Sequence, residues 1–121
     1  MTSTTELIAR GVDPSELTAV DRNDAISLIR AALKRRSCKT WSVTGGRGTA
    51  WGWITITATP KRLDTYGGMS DGDATDLAAL LGLDYVHHQG VCIAAASDYR
   101  REYIARALGL NPLSHGIPYW D

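Results

Sequence analysis

The stretch Trp41-Ser42-Val43-Thr44-Gly45-Gly46-Arg47-Gly48-Thr49-Ala50-Trp51-Gly52-Trp53-Ile54-Thr55-Ile56-Thr57-Ala58 decides the fold. Lys39–Thr44 and Trp51–Ala58 alternate in polarity and are rich in β-branched and aromatic residues. Between them lies the glycine-rich turn Gly45–Thr49. Two such strands around a short glycine loop predict a β-hairpin, and Pro60 ends it. With a period of two, Ile54, Ile56 and Ala58 lie on one face, and Trp51, Trp53, Thr55 and Thr57 on the other. If the isoleucine face packs on helices, the tryptophan face needs either cover or a ligand.

The helices follow on either side. Asp21 is an N-cap for a helix over 22–36, where Ala25, Ile26, Leu28, Ile29, Ala32 and Leu33 share one arc. Lys34, Arg35 and Arg36 suit its negative C-terminal end. Ser70-Asp71-Gly72-Asp73 has the form of a capping box, opening a helix that runs to Leu81 and stops at Gly82-Leu83. Residues 90–95 read as a third strand. Ser97 caps a last helix to Leu108, with Tyr99, Tyr103, Ile104, Ala107 and Leu108 on its buried arc and Glu102–Arg106 as an i,i+4 pair. Asp13-Pro14-Ser15-Glu16 starts a short N-terminal helical piece, and the apolar tail 116–121 is expected to pack back onto the domain. The order α-β-β-α-β-α predicts an α+β two-layer domain with a small, mainly antiparallel sheet and helices packed on one face. The expected organisation is one domain over 1–121, with 1–20 a loosely attached helical segment.

Length and composition agree with this. The chain has 121 residues, 44% hydrophobic and 21% charged, enough for one core and too apolar for disorder. No apolar run approaches the roughly 20 residues of a membrane span, and the first residues lack a signal-peptide pattern. The expectation is a soluble, cytoplasmic protein without membrane contact. Cys38 and Cys92 read as reduced thiols, one or both buried.

The formal net charge of zero conceals a segregation. Between Ala25 and Leu63 stand Arg30, Lys34, Arg35, Arg36, Lys39, Arg47, Lys61 and Arg62, with no acid. From Asp64 to Asp98 stand Asp64, Asp71, Asp73, Asp76, Asp84 and Asp98, with no Lys or Arg. Either the basic half forms a face for phosphates or an acidic protein, or the two halves face each other and cancel. Arg47, at the tip of the glycine loop, is placed as an exposed contact residue. Trp51 and Trp53, beside cations, suit stacking on unpaired bases or anchoring a protein interface.

Other motifs point away from catalysis. The glycine loop matches neither dinucleotide nor P-loop spacing and leads into a strand instead of a helix, so it lacks the phosphate-cradling mechanism. His87 and His88 are adjacent and alternate in direction on an extended chain, and no metal-ligand spacing includes them or His115. No nucleophile motif surrounds Cys92. Arg100 falls within the apolar arc of the last helix and is read as paired structurally with a buried carboxylate, the alternative being that it lines a groove.

Ser42–Ile54, preceded by Ile29-Arg30-Ala31-Ala32-Leu33-Lys34, resembles a group of small uncharacterised proteins of actinobacteria and of their phages and other mobile elements. Asp98-Tyr99-Arg100-Arg101-Glu102-Tyr103 fits the same group. Residues 22–58 are also similar to large polyvalent protein-associated domains. These resemblances imply a mobile-element context and assign no activity to any residue. The order of helix, hairpin, strand and helix is similar to the double-stranded-RNA-binding fold. It departs from that fold by the inserted helix 71–81 and by Asp98, where the fold carries positive charge.

The expectation is a non-enzymatic binding module without cofactor or metal. It would use a basic helix-hairpin face of Arg30, Lys34, Arg35, Arg36, Lys39 and Arg47, with Trp51 and Trp53, to bind nucleic acid. The alternative is a module that binds a host protein or defence system. An enzyme without a recognisable site is the third reading.

Overall fold

The computed structural model describes residues 10–11 and 20–109. The N-terminal helical piece, the tail 116–121 and His115 lie outside them. Among the described residues the chain forms α1 (Arg22–Arg36), β1 (Trp41–Gly45), β2 (Ile54–Ala58), α2 (Asp71–Leu81), β3 (Val91–Ile93) and α3 (Ser97–Ala107). Short 3₁₀ turns occupy Gly48–Ala50 and Pro60–Arg62. The α-β-β-α-β-α order and the α+β class are those expected from sequence.

Capping chemistry sets the helix ends. The Asp21 carboxylate accepts hydrogen bonds from the backbone N–H groups of Asn23 (3.0 Å) and Asp24 (3.3 Å), which otherwise have no partner in a first turn. Ser70 Oγ does the same for Asp73 N (3.1 Å). Gly82 takes the left-handed conformation at φ 67°, and Leu83 N returns to Ala78 O at 2.8 Å, closing α2 as glycine allows. Two expected caps differ. The carboxylate of Asp73 turns to Lys39 and Arg62 instead of completing a capping box. The N-cap of α3 is Ala96, without a side-chain bond. Ser97 Oγ instead accepts from Val20 N at 3.1 Å, a contact across 77 positions that ties the start of α3 to the start of α1.

The sheet order is β1-β2-β3, with both pairs antiparallel. Trp41 lies opposite Ala58, Val43 opposite Ile56, and Ile54 opposite Ile93. Trp41, Val43, Ile54, Ile56, Ala58, Val91 and Ile93 face the core, as the period-two reading requires. They meet Ile29 and Leu33 of α1, Leu77 and Leu81 of α2, and Tyr103 and Ile104 of α3, all essentially sealed from solvent. Gly90, at φ 97°, brings the chain onto β2 so closely that a Cβ would stand 2.3 Å from Ile56 O.

The strands are shorter than expected. The connection between β1 and β2 is residues 46–53, longer than the glycine turn, so Trp51 and Trp53 lie in the loop and not on the strand with Thr55 and Thr57. The cause is the loop's carbonyls. Gly46 N bonds Trp53 O at 2.8 Å. The carbonyls of Gly46, Trp51 and Gly52 are then taken by arginine side chains in place of a strand partner. Both cysteines are free and exposed, against the expectation of burial.

α1 and α3 lie side by side and point the same way. Their N-termini are joined through Val20 N and Ser97 Oγ. Their C-termini are joined through Arg36 Nη1, which donates to Arg106 O (3.1 Å) and Ala107 O (2.7 Å). The molecule therefore has a hairpin end, at the helix N-termini, and a C-terminal end, where the last turn of α2 also arrives.

Candidate nucleic-acid interface

The basic residues divide between these two ends. From Arg22 to Arg36 the axis of α1 extends roughly 21 Å at about 1.5 Å per residue. Arg47, Trp51 and Trp53 belong to the hairpin end, whereas Lys34, Arg35, Arg36 and Lys39 belong to the other. The structure thus replaces the single helix-hairpin face with two separate surfaces.

At the C-terminal end, several cations are held internally. Arg36 Nη1 reaches Leu80 O (2.9 Å) as well as the two α3 carbonyls. Arg106, buried with Glu102 at a nitrogen–oxygen distance of 3.6 Å, donates to Leu81 O and Gly82 O at 3.0 Å each. These guanidinium groups satisfy carbonyls that helix ends leave free and oppose the negative ends of the helix dipoles. The Glu102–Arg106 pair is therefore an internal brace rather than a surface pair.

Lys39 Nζ bridges Asp73 (2.7 Å) and Asp76 (2.5 Å). These hydrogen bonds, Asp73's first, raise the Lys39 ammonium above its ordinary pKa. Arg62 lies 3.6 Å from the other Asp73 oxygen, donates to Thr40 O, and sits 4.8 Å from the centre of the Trp41 ring. Here the basic and acidic halves of the sequence meet and partly cancel. Lys34, Arg35 and Lys61 remain exposed and make no ion pair or hydrogen bond among the described residues. An open groove of about 370 Å³ at this end is lined by Arg36, Cys38, Lys39, Asp76 and Leu80 among others.

At the hairpin end, Arg22 holds the loop. Its Nη1 donates to Gly46 O (3.2 Å) and Trp51 O (2.8 Å), and its guanidinium carbon stands 3.8 Å from the centre of the Trp51 ring. Arg100 donates from Nη1 to Val20 O (2.8 Å) and from Nη2 to Gly52 O (2.7 Å). Its partners are carbonyls and not the expected carboxylate. Burial lowers its pKa, with Asp21 opposing and Arg22 adding to the shift. A side chain at Gly52 would meet Ala95 Cβ at 2.6 Å, so the loop lies tightly on the approach to α3. Trp51 is 52% exposed and Trp53 37%. Arg47 is exposed at the tip without a partner among the described residues.

Arg30, the remaining expected site residue, donates to Val43 O at 2.6 Å and braces the edge of the sheet. The residues missed by sequence reading are Arg22 and Arg100 as loop braces and Lys61 as a free cation. Only the charge run marked Lys61, and no local pattern marks Arg22. His88 Nε2 pairs with Asp71 at 2.7 Å, and no metal-binding group of His, Cys, Asp or Glu occurs among the described residues. No helix among them is long and apolar enough to cross a membrane.

No family model matches the sequence, and neither the curated proteins nor the solved structures give a match.

Proposed function

We propose that the protein is a non-enzymatic, cytoplasmic nucleic-acid-binding module of phage or mobile-element type, using the C-terminal end of α1 to contact backbone phosphates. One observation carries the reading. Lys34, Arg35, Arg36, Lys39, Lys61 and Arg62 gather at one end, where Asp73 and Asp76 pair with Lys39 and Arg62, and Lys34, Arg35 and Lys61 are without partners among the described residues. Arg36 is bound through Nη1 to three carbonyls, which bring no counter-charge. Exposed cations of this kind attract phosphate and release condensed counterions on binding.

The test is oligonucleotide binding as a function of salt. Affinity should fall with a log–log slope of roughly 0.7–0.9 per phosphate contacted. The triple substitution Lys34→Glu, Arg35→Glu, Lys61→Glu should flatten that slope by about two to three units. Absence of salt-dependent binding to any single- or double-stranded probe at low salt overturns the proposal.

A protein partner is the second reading, favoured by the exposure of Trp51 and Trp53 beside Arg47, residue types enriched at interface hot spots. It predicts a stably co-purifying host protein whose association depends weakly on salt and is lost in Arg47→Glu.

A further inference from the structure

Trp51 differs from an ordinary exposed aromatic side chain. One face of its ring carries the Arg22 guanidinium at 3.8 Å, yet 52% of the residue remains exposed. The exposed surface therefore belongs largely to the opposite face and the ring edge. Arg22 is itself fixed, because the group that stacks on the ring also donates to Gly46 O and to the carbonyl of Trp51. The backbone one residue on is pinned by Arg100 and by the close approach of Gly52 to Ala95. The indole is thus held flat against one partner with its other side presented, and little side-chain freedom remains to be lost on binding.

The surroundings select the occupant. The hydrogen-bond acceptors of Arg22 and Arg100 are neutral groups, Arg100 Nε is buried without a hydrogen-bond partner, and Arg47 stands free at the tip among the described residues. The N-termini of α1 and α3 lie beneath the loop and add positive potential. Acids offset part of this field: Asp21 caps α1, Asp24 lies in its first turn, and Asp98 pairs with Arg101. A flat apolar surface backed by a cation and bordered by further cations fits a planar base carried on a phosphate chain.

We infer that the Trp51 ring is a preformed stacking platform for an unpaired nucleobase, with Arg47 meeting the adjoining phosphate, so that the module binds single-stranded nucleic acid in preference to duplex. A duplex keeps its bases stacked inside and offers this ring only phosphate and sugar. Trp53, 37% exposed in the same loop, makes no ring contact with Trp51 among the described residues and provides a second surface nearby.

This inference rests on the nucleic-acid reading above, and the experiment separates the two. Fluorescence anisotropy is measured with a labelled oligothymidine and a duplex of equal length, using the full chain and its variants. Trp51→Ala should weaken oligothymidine binding by roughly 5- to 150-fold, the range of one lost base stack, and leave duplex binding unchanged. Trp51→Phe, which restores a ring at the same place, should recover most of the affinity and guards against a folding artefact. The Lys34→Glu, Arg35→Glu, Lys61→Glu protein should weaken both probes alike. Equal affinity of the wild-type chain for both probes, or equal loss on both in Trp51→Ala, overturns the stacking platform while leaving phosphate binding intact. Failure of both probes to bind overturns the two readings together. A protein that co-purifies through Trp51 while oligothymidine binding is unaffected by Trp51→Ala assigns the ring to a protein interface and overturns the inference.

Discussion

The two ends of α1 use the same chemistry to opposite effect. At the C-terminal end, Arg36 and Arg106 reach into the helix termini, and Arg106 is sealed there with Glu102 at 3% and 4% side-chain exposure. At the hairpin end, Arg22 and Arg100 hold a surface loop and leave Trp51 and Trp53 facing solvent. The first arrangement consolidates a core, and the second displays side chains. A guanidinium bound to carbonyls has no counter-charge in its acceptors, whereas the field of the Lys39 ammonium is cancelled by the Asp73 and Asp76 carboxylates it bridges. Partner type, more than residue type, decides which cations contribute to an outward field.

The largest effect that tests this contrast is Arg106→Ala. It leaves Glu102 buried without its cation and uncaps Leu81 and Gly82, so unfolding free energy should fall by about 3–5 kcal/mol in chemical denaturation. Arg100→Ala removes two carbonyl contacts at the more open end and should cost about 2 kcal/mol. Because it frees Gly52, it should also increase hydrogen exchange in residues 46–53. If Arg100→Ala destabilises as strongly as Arg106→Ala, the hairpin end is part of the core and the distinction fails.

The smallest effect is electrostatic. The pKa of Lys39 is raised in the folded protein, so its stabilising contribution is complete below the ordinary lysine value and is lost as pH rises through the higher folded one. A Lys39→Met protein should therefore be modestly less stable than wild type at neutral pH and lack part of its alkaline stability loss above about pH 10, so that the two converge there. Identical alkaline profiles would mean that the bridge to Asp73 and Asp76 contributes nothing.

What was legible in the sequence was whatever local chemistry dictates. Asp21, Ser70 and Gly82 marked helix ends because caps act within three or four residues. Ile54, Ile56 and Ala58 marked a buried face because a strand alternates. The same alternation misled at Trp51 and Trp53, where the period of two runs on past the start of β2. The loop braces were invisible for a different reason. Arg22 and Gly46 are 24 positions apart, Arg36 and Ala107 71, and Arg100 and Val20 80, and each acceptor is a backbone carbonyl. Every residue carries one, so no pattern of side chains announces the contact. Charge segregation was visible, but its partial cancellation at Asp73 required the fold to bring Lys39 and Arg62 to one carboxylate.

The bond from Arg30 to Val43 O bears on how this chain behaves in a crowded solution. Gly46 and Trp53 form a hydrogen-bonded pair, so by alternation the Val43 carbonyl points away from β2, toward the outer side of the sheet. That rim is where a strand from another molecule would add itself. With its central acceptor already occupied and a cation laid across it, the rim is a poor template for growth of the sheet. Arg30 thus removes one acceptor from the rim that an added strand would need.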